Sequence, residues 1–149
     1  MKNSEGKAPK IFIMAIIVTI MIFSLVSCAT KAPFLTSSVV PAAKGSVKVK
    51  SDKNNNYVIQ IAISNLAGVE RLQPPRKTYM VWMVTDQQTT NNLGRITSSK
   101  KLKVSFETVS SSKPIKIFIT AEDNENAQDP DEQIVLTTDN FWIKQKAGK

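Results

Sequence analysis

Apolar and polar residues alternate along most of the chain after residue 45. Segments with this pattern lie at 47–49, 57–64, 102–107 and 115–120. A period of two is typical of β-strands that turn one face to a core and the other to water. The run Tyr79–Val84 is apolar at every position, which predicts a central strand with both faces covered. Two further apolar runs, Ile134–Leu136 and Phe141–Ile143, predict one or two late strands.

Polar stretches separate these predicted strands. Asp52–Asn56 reads as a hairpin turn between the first two strands, and Asn91–Gly94 as a loop after the central strand. We find no convincing helical period after residue 28. Short strands with turn signals between them favour an all-β fold, namely a single antiparallel β-sandwich-like domain over residues 45–149.

The first 27 residues have the pattern of a secretory signal peptide. The opening ten residues are polar and contain three lysines, and residues 11–27 are uncharged. A basic start followed by a short apolar stretch is typical of such signals. Residues 28–44 contain Ala, Thr, Ser and two prolines, which predicts a flexible tether between signal and domain.

The apolar stretch ends in Leu25-Val26-Ser27-Cys28, which resembles the lipobox of bacterial lipoproteins. The resemblance implies a diacylglyceryl group on the Cys28 sulfur, cleavage before Cys28 and a fatty acid such as palmitate on the new amine. The membrane would then be a partner, and the domain would lie outside the cytoplasm on the cell membrane or outer membrane. The alternative is an uncleaved span with an unmodified cysteine, since 17 residues is the short limit for crossing a bilayer.

Composition narrows the chemistry of the domain. The chain carries 20 Lys+Arg against 12 Asp+Glu, but the lysines are spread out, so we expect a solvated surface and no nucleic-acid partner. A mild attraction to anionic headgroups is the alternative. There is no histidine, which excludes a Ser-His-Asp triad, and the single cysteine cannot form an intramolecular disulfide. We predict a non-enzymatic protein without a cofactor.

The acidic stretch 122–132 is the best candidate for a site. We interpret it as a solvated acidic turn and expect no metal. The alternative is a calcium site at Asp123, Asp129 and Asp131, although the stretch lacks the spacing of an EF-hand loop. A pair of catalytic carboxylates is a further alternative, which would need a cleft and a positioned substrate.

Four aromatic residues could belong to a core or to a binding surface. Tyr79 and Trp82 on the central strand are interpreted as core, with a ligand surface as the alternative. Phe141 and Trp142 are interpreted as a cap on the sandwich, with a partner-facing surface as the alternative.

Several short motifs resemble the extracytoplasmic domain of anti-sigma-K factor proteins. The likeness covers roughly residues 45–140. Its motifs are a Tyr-x-x-Trp strand in Lys77–Val84, a turn at Ser64–Leu66, a Leu-Gly-like turn at Leu93–Ile96, a strand ending at Ile119–Glu122, a loop with Asp129-Pro130, and the strand Ile134–Leu136.

This resemblance implies a β-domain outside the cytoplasm with an interaction or sensory role. Members of the family also have a cytoplasmic helical domain that holds the sigma factor. Only Met1–Lys10 precede the apolar stretch here, so we do not expect direct anti-sigma activity. We expect an envelope protein as the partner; the alternative is a structural envelope lipoprotein with no regulatory role.

Overall fold

The period-two segments form two antiparallel β-sheets in a computed structural model that describes residues 29–96, 103–131 and 133–143. The predicted signal peptide and Cys28 lie outside the described residues. In chain order the elements are β1 (Ala29–Pro33), β2 (Lys44–Ser51), β3 (Tyr57–Ser64), a 3₁₀ turn (Val69–Arg71), β4 (Thr78–Thr85), β5 (Thr90–Ile96), β6 (Lys103–Ser110), β7 (Pro114–Glu122) and β8 (Ile134–Thr137).

The strand order is β1-β2-β3-β6 in the first sheet and β5-β4-β7-β8 in the second. β6 returns to pair with β3, and β7 returns to pair with β4, so the chain crosses three times between the sheets in Greek-key fashion, after β3, β5 and β6. The predicted fold class, an antiparallel β-sandwich, is confirmed, and Tyr79–Val84 lies in a central strand as expected.

The core lies between the two sheets and contains the apolar members of the alternating segments. From the first sheet it takes Val47, Val49, Ile59, Ile61 and Ile63, and from the second Tyr79, Val81, Met83, Ile117, Ile119 and Leu136. Their polar neighbours face outward, which is the arrangement that a period of two requires. Gly45 in β2 packs so tightly on β3 that an added Cβ would lie 2.4 Å from the Ala62 carbonyl oxygen.

The prediction of a flexible tether over residues 28–44 is wrong for the described part, residues 29–44. Ala29–Pro33 form β1, which pairs with β2 along its whole length, and Val40 and Ala43 are buried in the core. The side chain of Ser37 accepts hydrogen bonds from the backbone of Val39 and Val40. The sequence does not reveal β1 as a strand, because the segment alternates Ala and Thr with other residues, instead of large apolar residues, and contains two prolines.

β1 also contacts the second sheet on its other side. The Leu35 N–H donates to the Thr137 carbonyl at 2.8 Å, and Phe34 forms a bridge with Thr138. The Thr30 hydroxyl donates to the Trp142 carbonyl at 3.3 Å. The first strand therefore closes one edge of the sandwich and is held from both sides.

The prediction of a loop at Asn91–Gly94 is also wrong, because these residues lie within β5. β5 pairs with β4 around a bulge at Val81/Trp82. Its residues are polar because β5 is an edge strand whose outward side chains reach solvent or a neighbouring loop. Gly94 has φ of 129°, a conformation that glycine adopts without strain.

The hairpin predicted at Asp52–Asn56 is confirmed. The Asp52 carboxylate accepts hydrogen bonds from the backbone N–H groups of Asn54 at 2.7 Å and Asn56 at 2.8 Å. The hydrogen bond from the Asn56 backbone is the main reason why the pKa of Asp52 lies below its usual 3.8. Asn55 has φ of 61°, as hairpin turns require.

Candidate functional site

The outer face of the second sheet carries its own apolar cluster, separate from the core between the sheets. Met80, Trp82 and Phe118 form this cluster together with Ala127, and Val84 packs against it. Successive residues of β4 point to opposite faces, so an entirely apolar strand must have a second cover. The Trp82 side chain is fully buried and stacks on Phe118, with ring centroids 6.4 Å apart.

The acidic stretch supplies that cover. We call residues 123–133, without Glu132, which lies outside the described residues, the acidic lid. Ala127 in the lid is buried in the outer cluster, and the Asn92 side chain donates to the Ala127 carbonyl at 2.7 Å. This hydrogen bond joins the lid to β5 and explains why β5 carries a polar residue at position 92.

A chain of hydrogen bonds runs beneath the acidic lid. The Trp82 indole N–H donates to the Thr120 hydroxyl at 2.7 Å, and that hydroxyl donates to the Glu122 carboxylate. Glu122 also accepts a hydrogen bond from the Asp131 backbone at 2.8 Å. Glu122 is only 4% exposed, so the chain links a buried carboxylate to the buried indole with every partner satisfied.

Arg76 holds both ends of the acidic lid. Its Nη1 lies 2.8 Å from Asp123 Oδ2 and 3.2 Å from Asp131 Oδ2. Its Nε donates to the Gln133 side chain at 3.0 Å. The guanidinium has several donors in a fixed plane, which suits it to bind two carboxylates and an amide at once.

The structure brings two of the three candidate metal ligands together, but they bind the guanidinium group of Arg76. Asp123 and Asp131 both bind Arg76, whereas Asp129 is exposed. In the described part of the chain, no group of three or more His, Cys, Asp or Glu side chains is arranged to hold a metal ion. The Asp123 and Asp131 carboxylates act here as ion-pair partners of Arg76, and Glu122 is only 4% exposed.

The aromatic residues divide between the two clusters. Tyr79 lies in the core between the sheets as predicted, and its hydroxyl donates to the Ala67 carbonyl at 2.9 Å. Trp82 is buried as predicted, but under the acidic lid. Phe141 is buried, whereas Trp142 is 76% exposed, so the interpretation of Trp142 as part of a cap is wrong.

A groove of about 380 Å³ opens beside the acidic lid at the end of the sandwich farthest from Ala29. Lys77, Arg95 and Glu125 line it, and Arg95 and Glu125 form an ion pair with each other. Sequence reasoning missed this groove, because its lining comes from four separate segments. Its mixed charges suit contact with a polar partner surface.

Comparison of the chain with protein-family models, with curated proteins and with solved structures gives no match. The resemblance to the anti-sigma-K extracytoplasmic domain therefore stays a prediction. Among the described residues, no helix is long and apolar enough to cross a membrane.

Proposed function

We propose that this chain is an exported lipoprotein, anchored by lipid on Cys28, whose β-sandwich is a non-catalytic interaction module of the cell envelope. The observation that carries the proposal is the junction at Cys28. An uncharged stretch ends in Leu25-Val26-Ser27-Cys28, and β1 begins at the next residue, Ala29. A mature chain cleaved before Cys28 would keep β1 and all the strands that follow it.

Two features support an interaction role for the domain. Arg76 forms ion pairs with Asp123 and Asp131 that hold the acidic lid, so the proposal gives these residues a role in the fold and none in catalysis. The groove lined by Lys77 and Arg95 lies at the end opposite Ala29, where a partner has access to it. The resemblance to the anti-sigma-K extracytoplasmic domain adds a sensory role as the specific form of this proposal.

The anchor is tested by the intact mass of the full chain expressed in a bacterial host and purified from membranes. We expect a chain that starts at Cys28 with the added mass of acyl groups. Cys28→Ala should lose that mass, whereas Ser27→Ala, which keeps a small residue before the cysteine, should retain it. An uncleaved chain with an unmodified cysteine would contradict the proposal and make residues 11–27 a membrane span.

The interaction role is tested by photo-crosslinking in cells. A crosslinking residue at Lys77, in the groove, should give a discrete adduct with an envelope protein. The same residue at Lys53, which is exposed in the hairpin at the other end, should not. Equal adducts at both positions, or none at Lys77, would favour a structural envelope protein.

A further inference from the structure

Trp142 is held with its side chain turned away from the protein. It is 76% exposed, the most exposed of the large hydrophobic side chains among the described residues. Its neighbours Phe141 and Ile143 are both buried in the core, and the Phe141 N–H donates to the Ile115 carbonyl at 2.8 Å. In an extended chain, two inward neighbours force the residue between them outward. The exposure of Trp142 is therefore fixed by the fold.

Trp142 lies beside the point where the predicted anchor joins the domain. The Thr30 hydroxyl donates to the Trp142 carbonyl at 3.3 Å. Thr30 follows Cys28 by two residues, so their Cα atoms are at most about 8 Å apart at roughly 3.8 Å per residue. The headgroup layer of a bilayer is about 5–7 Å thick on each side. A lipid on Cys28 would therefore bring Trp142 within reach of that layer.

We propose that the Trp142 side chain inserts into the headgroup region of the membrane and seats this end of the sandwich on the bilayer. The inference rests on the proposed anchor at Cys28. Tryptophan is enriched at membrane interfaces, because its ring is largely apolar while its N–H can still bond to water or headgroups. No tether separates anchor and domain, since Ala29 already pairs with Lys50 in β2.

The charges around this end are compatible with an anionic bilayer. The end contains the last residues of β2, the 52–56 hairpin, the loops that join β4 to β5 and β6 to β7, and the residues before Trp142. Its described charged residues are Lys50, Lys53, Lys113 and Lys116, with Asp52, Asp86 and Asp139. Lysines are in excess by one, and a headgroup layer with anionic lipid attracts such a surface within about one Debye length.

Seating on Trp142 would also orient the rest of the domain. β3 runs from this end to the other over eight residues, which is roughly 26 Å at about 3.3 Å per residue. The acidic lid and the groove beside it lie at that far end. They would face away from the bilayer, toward partners in the envelope.

The test measures tryptophan fluorescence of the full acylated protein in vesicles of phosphatidylcholine and phosphatidylglycerol. Emission in vesicles in which half of each lipid carries brominated acyl chains is compared with emission in vesicles without bromine. Bromine quenches only tryptophans that approach the acyl chains. The chain has two tryptophans, and Trp82 is fully buried under the acidic lid. We expect brominated lipid to reduce the emission of the unchanged protein and to leave Trp142→Phe unaffected.

A matched control moves the tryptophan to the other end. Leu35 is 42% exposed and follows β1, so it lies far from Ala29. In Trp142→Phe/Leu35→Trp we expect no quenching by brominated lipid, although acrylamide should still quench the new tryptophan. Equal quenching at positions 142 and 35 would mean that the domain lies on its side, and would overturn the proposal.

Flotation of the vesicles separates this proposal from the one it rests on. Protein that floats with the vesicles but shows no quenching at Trp142 has its anchor and is not seated, so only the present inference fails. That result would leave Trp142 as a contact for a protein partner. Protein that carries no acyl group and does not float would refute the anchor at Cys28 and the seating together.

Discussion

Replacing Arg76 by methionine should open the acidic lid. The side chain of Arg76 is 17% exposed, and its partners Asp123 and Asp131 are 60% and 32% exposed. An exposed ion pair contributes about 0.2–1 kcal/mol, and a neutral hydrogen bond such as that to Gln133 about 0.5–1.5 kcal/mol. With both carboxylates discounted for solvent, the three contacts together contribute about 2 kcal/mol. Since 1.4 kcal/mol is a factor of ten, the open lid should be populated about thirty-fold more often.

The assay is acrylamide quenching of Trp82 in a Trp142→Phe background. With the lid closed, Trp82 is fully buried and should be almost insensitive to acrylamide. Arg76→Met should raise its quenching clearly. The melting temperature should also fall, by roughly 6–12 °C if the whole 2 kcal/mol is lost on unfolding of a domain of this size.

Arg71→Met is the matched control, because it makes the same substitution at an exposed arginine. Arg71 lies 3.9 Å from Glu70, and the two side chains are 76% and 70% exposed. Its loss should change stability by less than about 0.5 kcal/mol and leave Trp82 protected. If the two variants behave alike, Arg76 does not hold the lid, and the reasoning from its contacts is refuted.

Three other substitutions test separate parts of the structure. Asp52→Asn should destabilise the chain at neutral pH, because it removes an ionised carboxylate that accepts backbone hydrogen bonds. The folded-state pKa of Asp52 is depressed, so the stabilisation from this carboxylate is present above pH 3.8 and is lost as the pH falls through the folded-state value. Acid unfolding curves of variant and parent should therefore converge at low pH. Gly45→Ala should lower stability in urea unfolding by about 1–3 kcal/mol through overpacking, whereas Gly68→Ala, whose new Cβ would meet only a flexible glutamate side chain, should cost much less. Thr120→Val should cost about 1–3 kcal/mol in the same assay, because it leaves the buried Trp82 indole without a partner and removes one of the two hydrogen bonds to the buried Glu122 carboxylate; a neutral result would show that water replaces the hydroxyl.

Most of the sandwich could be predicted because its strands carry large apolar residues at every second position. β2, β3, β6 and β7 are predicted from this alternation, and β4 and β8 from short uninterrupted apolar runs. β1 and β5 were missed because both are edge strands with small or polar residues, in which burial on one face leaves a weak pattern. In β5 the outward residue Asn92 donates a hydrogen bond to the Ala127 carbonyl in the acidic lid. The reason for an asparagine at this position therefore lies 35 residues away in the sequence.

The candidate site could be predicted only in part. The sequence marks the acidic stretch but favours a solvated turn, because Arg76, the ion-pair partner of Asp123, lies 47 residues before it. One signal could have pointed to the lid. An entirely apolar strand such as Tyr79–Val84 needs cover on both faces, and a two-sheet sandwich supplies only one, so some other segment had to cover Trp82.

The first strand makes the proposed anchor mechanically different from a tethered one. The lipid-bearing Cys28 would be joined by its peptide bond to Ala29, which lies in a strand that is hydrogen-bonded to β2 on one side and, through Thr30 and the residues that follow β1, to residues 137–142 on the other. A flexible linker would let the domain tumble, whereas this junction transmits the position of the anchor into both sheets. A Gly-Ser linker placed between Cys28 and Ala29 would keep acylation and flotation but should reduce the quenching of Trp142 by brominated lipid. Unchanged quenching would mean that Trp142 holds the domain on the bilayer by itself, without help from the short junction.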